Sequence, residues 1–411
     1  MNDQKTKVRA SLLAYTLAIS IVISTLIGTM ILLGYYYRTS DQIRNANLEL
    51  IDNVRSGEQL PLSNPAAFDY FDVNIFDFFE NQRDSVSIQK LPWGFYDHFR
   101  VTAFRGPRKK ISHFSLAYTP DSLMTSALYL VDDRRPLSVS GGTRISGVLY
   151  LPQSGVQSAF INRQGYQNDS LFYGSKYVSK DDMPAITEEF LEGWEKLGEY
   201  PIFQESPGYS LRHSFFNDTL IKVLGNPLSV ADTLEGKIWI EGKNISFESS
   251  ARTQDILVQA KTIRLKKGFV GSGQFFAEDS LIIEESVTLN YPSVACVYND
   301  KNVGIMRIHQ GAQVHGVIVL HGDPNLYTQR QLYIEDGATV FGALYCHGYL
   351  EHYGLINGHA SVRKTLVSTQ EGIYENYLLN AEIDGNAFPK GLLIPDLWYV
   401  GEKRKVLTWY Q

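Results

Sequence analysis

The chain has little of what disulfide-stapled domains, common enzyme families and nucleic-acid-binding proteins require. Only 2 cysteines occur among 411 residues, which excludes a scaffold held together by several disulfides. The net charge of −6 includes no basic stripe, so we expect no nucleic-acid partner. P-loop, serine-hydrolase, zinc-protease and Cys-x-x-Cys patterns are absent. We therefore expect no enzyme, and no catalytic, cofactor or metal site.

What the sequence does contain is a repeat of short apolar runs broken by a turn residue. Residues 306–320 read MRIHQGAQVHGVIVL and 332–346 read LYIEDGATVFGALYC; 137–150, LSVSGGTRISGVLY, follow the same pattern. Residues 281–289 are a fourth copy and 263–271 a looser fifth. Side chains alternate faces along a strand, so each copy can bury its apolar face only against neighbouring copies. The pattern predicts strands that wind, rung upon rung, into a solenoid.

The predicted fold class is therefore all-β, a parallel β-helix with an N-terminal transmembrane helix and an α-containing insertion. No strict six-residue period is visible, so we expect the right-handed form. The copy at 137–150 lies far upstream of the others, which predicts a solenoid that starts early and is interrupted.

The sequence divides into eight predicted segments. They are a cytosolic leader 1–9, a transmembrane helix 10–37, a membrane-proximal helix 38–60, a β-rich region 61–130, a first rung 131–151, a mixed insertion 152–232 with a helix at 183–197, the main β-helix 233–366 and a C-terminal cap 367–411.

The N-terminus predicts a membrane anchor. No charged residue occurs between positions 10 and 37, a stretch long enough to cross a bilayer as a helix. Lys5, Lys7 and Arg9 precede it, which favours a cytosolic N-terminus and an exported body, hence a single-pass protein of the inner membrane. Small side chains recur every fourth residue and form a candidate contact with other membrane helices: Thr16, Ser20, Ser24 and Gly28.

Two family resemblances follow from these residues. The basic leader, the sequence KVRA and the immediate apolar span resemble a type IV pilin or pseudopilin N-terminus. That resemblance implies that Ala10 ends a leader and Ser11 begins the mature chain, although Tyr15 stands where the family has its Glu. The phrase LYIEDGATVFGAL is similar to the repeats of bactofilins, which implies a right-handed β-helix that stacks end to end without nucleotide.

Asp followed by Ser or Thr and an apolar residue recurs six times beyond the anchor. The motif resembles the O-glycosylation acceptor of exported Bacteroidota-type proteins, while turns that precede strands explain it equally. The candidate acceptors are Ser85, Ser122, Ser170, Thr219, Thr233 and Ser280.

Other groups of polar residues have simpler interpretations. The acid pairs at 284–285 and 335–336 occupy equivalent turns, so we interpret them as solvated corners rather than catalytic carboxylates. The histidines of the last copies are interpreted as surface residues. Cys296 and Cys346 close equivalent rungs about 10 Å apart, too far for a disulfide, and are expected as buried free thiols.

Together these observations predict a membrane-anchored, exported protein with a structural or assembly role in the bacterial envelope, beside a pilin-like or secretion apparatus. Its expected partners are the membrane and other membrane helices or envelope proteins. The alternative is a carbohydrate-binding or carbohydrate-active β-helix, which a groove lined with aromatic and acidic side chains would favour.

Overall fold

A computed structural model describes residues 3–78, 84–187, 191–205, 210–300, 303–397 and 403–410. Strands make up most of these residues, and one long helix begins the chain. Internal contacts divide the chain into two compact units. The first comprises Met1–Pro61, Val73–Ile88 and Val101–Ser112, and the second comprises Leu62–Asp72, Gln89–Arg100 and His113–Gln411.

Helix α1 spans Asp3–Ser63, so the two predicted segments 10–37 and 38–60 form one continuous helix that ends slightly later than expected. By length and composition α1 could cross a membrane. The large apolar side chains between Leu12 and Leu33 are exposed, because nothing in the described protein covers them. The prediction of a long apolar N-terminal helix is confirmed.

The second half of α1 packs against strands of the first unit. Leu50 and Val54 are buried, whereas Ile43 is exposed. Gly57 lets the helix approach Val86 and Val101 closely. A Cβ atom on residue 57 would lie 2.7 Å from Val86 Cγ1 and 2.8 Å from Val101 Cγ1. The chain therefore passes without interruption from an apolar, exposed helix into a packed one.

Four strands follow the helix and are neighbours, in chain order, in one sheet: β1 Val73–Phe76, β2 Asp84–Trp93, β3 Tyr96–Arg105 and β4 Arg108–Tyr118. Gly106 and Pro107 separate β3 from β4. Strand β2 has no counterpart among the predictions.

The remaining strands all lie in the second unit. In chain order they are β5 Leu128–Leu130, β6 Leu137–Ser140, β7 Arg144–Ser146, β8 Leu149–Leu151, β9 Val156–Ser158, β10 Phe160–Ile161, β11 Gln164–Gly165, β12 Lys176–Val178, β13 Ile202–Glu205, β14 Leu211–His213, β15 Leu220–Gly225, β16 Leu228–Val230, β17 Thr233–Gly236, β18 Ile238–Phe247, β19 Arg252–Leu265, β20 Val270–Ile283, β21 Thr288–Tyr298, β22 Gly304–Ile308, β23 Gln313–His321, β24 Arg330–Ile334, β25 Thr339–His352, β26 Leu355–Ser368, β27 Ile373–Glu375, β28 Tyr377–Leu379, β29 Glu382–Asp384 and β30 Arg404–Tyr410.

Most of these strands form one parallel series, which we call the stack. In its middle, β18 pairs with β19, β19 with β20, β20 with β21 and β22, β21 with β23, β22 with β24, and β25 with β23, β24 and β26. The pairings of this sheet close on themselves. The structure thus confirms a β-rich, mainly parallel architecture.

Central strands of the stack are buried on both faces. In β21, Ala295 and Val297 belong to the cluster inside the stack, whereas Val294 and Cys296 belong to a second cluster outside it. Buried parallel strands read as continuous apolar runs, which is why 294–297 do not alternate with polar residues. The outer cluster is rich in aromatic side chains and is completed by other parts of the second unit.

The two cysteines are buried and free, but they are not equivalent. Cys346 in β25 pairs with Leu320 in β23, and Leu320 pairs with Val297 in β21. The residue of β21 that is aligned with Cys346 is therefore Val297, and Cys296 precedes it by one position. A shift of one residue turns a side chain to the opposite face. Cys346 therefore lies inside the stack and Cys296 in the outer cluster.

The second glycine of each repeat has a packing reason. Gly316, Gly342 and Gly358 are level with one another in successive strands and have positive φ. A Cβ atom on Gly342 would clash with the carbonyl oxygen of Gly316, and one on Gly358 with that of Gly342. Glycine is required here by the close approach of the preceding strand, rather than by a bend alone.

The order of strands in the stack differs from the order in the chain, which corrects the predicted first rung 131–151. Strand β26 pairs with β5 and β29, β29 pairs with β7, and β5 with β8. Strand β28 likewise pairs with β6. The segment 131–151 therefore follows the last predicted rungs instead of preceding the main series, and the strands of 377–384 lie between them.

The predicted insertion 152–232 is divided between the two ends of the stack. Strands β9 and β12 extend it beyond β6 and β8. Strands β13 to β17 extend the opposite end, where β15 pairs with β18 and β17 with β19. Parallel pairing thus begins well before the predicted start of the main series at 233.

Residues 179–187 and 191–200, which we call the strap, lie on the outside of the stack. Tyr129 Oη donates to the carbonyl oxygen of Asp182 at 2.9 Å, and Tyr345 Oη donates to that of Pro184 at 3.2 Å. Further along, the ring centroids of Trp194 and Phe276 are 5.3 Å apart. The strap therefore covers successive strands of the outer cluster.

Two more predictions are wrong. The helix expected at 183–197 is confined to α2, Glu192–Glu195, followed by a 3-10 turn at Lys196–Glu199. Residues 183–187 are not helical and 188–190 lie outside the described residues. The segment 367–411 is not a cap over the last rung, because β28 and β29 are internal to the stack and β30 pairs antiparallel with β4.

Candidate functional site

The small residues predicted as a helix contact all lie on the exposed part of α1. Apart from the neighbouring backbone of α1 itself, no described atom lies within 4 Å of a Cβ built on Gly28. The hydroxyl of Thr16 donates to the carbonyl oxygen of Leu13 within the same helix. The stripe of Thr16, Ser20, Ser24 and Gly28 has room for a partner helix on it.

The candidate O-glycosylation residues do not form a cluster. Ser122, Ser170 and Thr219 are exposed, whereas Ser85, Thr233 and Ser280 are half-buried. At 121–124 the Asp side chain accepts the backbone N–H of Met124, the local turn role that such Asp residues often have.

The acid pairs form separate surface ion pairs. Arg264 bonds Glu284 at 2.9 Å and Lys267 bonds Glu285 at 2.6 Å. Glu335 is more constrained than a free corner, since it accepts Gln310 N and contacts His309 Nδ1, each at 2.9 Å. The geometry accounts for these carboxylates as local electrostatic contacts.

The histidines of the later copies are mostly buried, which corrects their interpretation as surface residues. His352 and His359 are fully buried, and the rings of His321 and His347 stack 5.5 Å apart. Within the described residues, no group of three or more His, Cys, Asp or Glu side chains is arranged to hold a metal ion.

The densest group of polar and aromatic side chains surrounds Phe215, in the second unit. The Phe215 ring stacks on Tyr410 with centroids 3.6 Å apart and lies 4.9 Å from Trp93 and 5.3 Å from His98. These residues come from strands β2, β3 and β30 and from the turn after β14. Their proximity depends on the pairing of β30 with β4, which brings the C-terminus to this place.

A buried histidine pair lies beside Phe215. His98 Nε2 and His113 Nδ1 are 2.9 Å apart, so one ring nitrogen donates and the other accepts. Burial, with the nearby cations of Arg100 and Lys237, lowers the pKa of His113 to about 4. Burial also lowers the pKa of His98 well below its usual value. Both imidazoles are therefore neutral at pH 7.

On one side of Phe215 is a cavity of about 240 Å³ that contains a buried lysine. Lys237 Nζ donates to the carbonyl oxygens of Asn217 at 3.0 Å and Asp218 at 3.3 Å and lies 4.1 Å from the Tyr200 ring centroid. Burial lowers its pKa to about 8. Arg100, which also lines the cavity, is ion-paired with the Asp218 carboxylate. The cations are thus partly neutralised within the protein.

On the other side of Phe215 is a larger cavity of about 550 Å³, which we call the Trp409 cleft. Aromatic rings and hydrogen-bonding side chains line it together. Its lining residues are Arg212, His213, Ser214, Phe215, Glu235, Gly236, Gln254, Asp255, Thr408, Trp409 and Tyr410.

Asp255 has an unusual backbone in this cleft. Its φ is +55°, in the left-handed region, and the β19–β20 register shifts between Thr253 and Ile256. Bulges of this kind redirect side chains and occur often beside binding sites. Burial raises the pKa of the Asp255 carboxyl, and the neighbouring Glu235 adds to the shift.

Sequence reasoning did not identify either cavity. Trp409 and Tyr410 belong to the segment 367–411, which was predicted to be a cap. The lining residues come from chain segments far apart in sequence, and no local spacing connects Asp255 with Trp409. In comparisons with protein-family models, curated proteins and solved structures, the chain has no match.

The buried histidines predict an acid-sensitive fold. A neutral imidazole whose pKa is about 4 when folded and about 6.5 when unfolded stabilises fully above pH 6.5, and that stabilisation is lost as the pH falls towards 4. His113 alone should lower the free energy of unfolding by about 2 kcal/mol between pH 7 and pH 5. His347, His352 and His359, each with a pKa of about 4, should add to this loss.

The measurement is thermal unfolding of the full chain in detergent at several values between pH 7 and 5. We expect the melting temperature to fall with pH, and His113→Gln, which gains no proton, to show a shallower fall. A melting temperature independent of pH in this window, or an identical slope for the variant, would contradict the assignment.

Proposed function

We propose that this protein is a single-pass protein of the bacterial inner membrane with an exported β-helical body and a structural or assembly role in the envelope. The observation that carries the proposal is the unbroken helix α1. Its first half is apolar and exposed, and one side of its second half, with Leu50 and Val54, is buried against the strands of the first unit. Such a helix joins a membrane span rigidly to a folded part of the protein.

The direction of insertion follows from charge. Lys5, Lys7 and Arg9 precede the apolar segment, and basic residues remain preferentially on the cytosolic side. Residues beyond Tyr37 are then exported. Two cysteines that are both buried and free are compatible with an oxidising compartment, because neither is accessible to a partner thiol.

The parallel stack supports the β-helical interpretation and the resemblance to bactofilin repeats. Successive strands are level with each other along aligned apolar positions such as Val314, Val340 and Ile356. The arrangement provides a long, well-packed body without requiring a cofactor. A body of this kind suits a scaffold whose role is to hold position and contact other proteins.

The resemblance to pilin-type N-termini fits the same helix. A subunit of that kind needs an apolar helix surface available for other helices and a body packed on the rest of the helix. The stripe at Thr16, Ser20, Ser24 and Gly28 has such a surface, since small side chains allow close approach between helices in a bilayer.

Protease accessibility tests the orientation. Protease added to spheroplasts that contain the full chain should digest the protein after Tyr37 and leave only the span and leader protected. A cytosolic protein should remain intact in the same sample as a control for leakage. Protection of the C-terminal half from the protease would contradict the proposed orientation.

A matched pair of glycine variants tests assembly through the helix. A Cβ built on Gly28 or on Gly34 has nothing within 4 Å, so neither substitution should disturb the fold. Only Gly28 lies on the stripe of small residues. Gly28→Ile should lower cross-linking of the full chain to its neighbours in membranes by roughly tenfold, whereas Gly34→Ile should leave it unchanged. Equal cross-linking of the two variants would rule out the stripe as the contact.

A further inference from the structure

We propose that the Trp409 cleft binds an uncharged or amino-sugar unit of a glycan. This inference is independent of the anchor and of assembly through α1. It rests on three features of the cleft: a half-exposed indole in its lining, side chains that can both donate and accept hydrogen bonds, and an excess of negative charge. The cavity of about 550 Å³ is within the range of roughly 300–1,000 Å³ typical of small-molecule sites.

Three aromatic residues line the cleft, Trp409, Tyr410 and Phe215. Trp409 and Tyr410 are consecutive in β30, so their rings contact different neighbours on opposite faces of the strand. Tyr410 and Phe215 stack on each other with centroids 3.6 Å apart, and Trp409 packs on Phe114 at 5.2 Å. Trp409 nevertheless remains 52% exposed. A sugar ring has an apolar face formed by C–H groups, which packs well on an indole. A half-exposed ring supported from behind is suited to that contact, because little side-chain freedom remains to be lost.

The polar lining matches the hydroxyl groups of a sugar. The Gln254 amide supplies both donors and an acceptor, and the hydroxyls of Ser214 and Thr408 can do either. Carboxylates accept only, and Asp255 has its carboxylate 3.4 Å from Gln254 Nε2, a long contact. A hydroxyl group of a ligand could donate a hydrogen bond to the Asp255 carboxylate that is shorter than this contact with Gln254.

The backbone at Asp255 also favours a binding role. A left-handed conformation is unfavourable for most residues, and Asp tolerates it better than branched residues do. The bulge interrupts the pairing of residues 254–255 with β20, although Gln254 still pairs with Glu235 of β17, and both residues line the cleft. The fold thus keeps an irregular segment where two polar side chains meet a cavity.

Charge selects among sugars. Glu235 Oε2 is paired with Arg212 Nε at 3.1 Å, so that pair is nearly neutral, whereas no cationic side chain among the described residues is paired with the Asp255 carboxylate. An anionic sugar such as a uronic acid would meet like charge in a partly buried site. A neutral sugar avoids that repulsion, and the ammonium group of an amino sugar would gain from it.

The experiment measures binding to the full chain in detergent by isothermal titration calorimetry. The probes are maltotriose, mannotriose, chitosan trimer and, as the anionic comparison, trigalacturonate. We expect millimolar or tighter binding of at least one neutral or amino-sugar trimer and none of trigalacturonate. Trp409→Ala should weaken that binding by roughly tenfold, the loss of about 1.4 kcal/mol. Tyr177→Ala, which removes an aromatic ring of 54% exposure elsewhere in the second unit, is the matched control.

A second variant tests the charge argument separately. Asp255→Asn keeps a residue that tolerates the left-handed conformation and removes the charge, so discrimination against trigalacturonate should decrease. The proposal is overturned if none of the three neutral or amino-sugar trimers binds at millimolar concentration. It is equally overturned if Trp409→Ala and Tyr177→Ala bind alike, or if trigalacturonate binds best. Retained circular dichroism and melting temperature establish that each variant is folded.

Discussion

The architecture of the second unit depends on the parallel pairing of backbones between successive strands. Each strand in such a series leaves donors and acceptors along both edges, and its apolar face is buried only by the strands on either side. Every strand therefore needs a neighbour, but nothing requires that neighbour to be next in the chain. The protein uses this freedom, since residues 377–384 lie between β26 and the much earlier segment 137–151.

The need for neighbouring strands also explains the position of the strap and the continuous apolar runs in the central strands of the stack. Because the segment 152–232 contributes strands to both ends, the chain between them must run the length of the stack. The described parts of the strap contact the outer aromatic cluster, which gives strands such as β21 a second buried apolar face. The glycines at 316, 342 and 358 then allow each strand to approach the preceding carbonyl.

Local features were predictable from the sequence, and the order of strands was not. The repeats predicted parallel strands and inward positions such as Val314 and Val340, because alternation and turn residues are local signals. The position of segment 137–151 within the stack could not be predicted. The strands of all repeat copies have similar backbone edges, so each could pair with any other copy. The equivalence of Cys296 and Cys346 was wrong for a similar reason, because a one-residue register shift is invisible in the pattern.

The candidate site shows the same limit. Asp255 looked like any polar residue in a strand, and Trp409 like part of an aromatic tail. Their meeting requires β30 to pair with β4, a contact between segments nearly three hundred positions apart in the chain. Predictions that depend on composition and charge, such as the long apolar helix, needed no such knowledge of distant pairing.

The most direct test of the non-sequential strand order is a disulfide between Arg144→Cys and Glu382→Cys. Both native residues are exposed, and they are level with each other in β7 and β29, where paired strands lie about 4.8 Å apart. Mild oxidation of the full chain should cross-link this pair, as seen by mass spectrometry of linked peptides. The pair Arg144→Cys and Thr233→Cys, which a sequential order would bring together, should not cross-link. A bond in the second pair and none in the first would contradict the architecture.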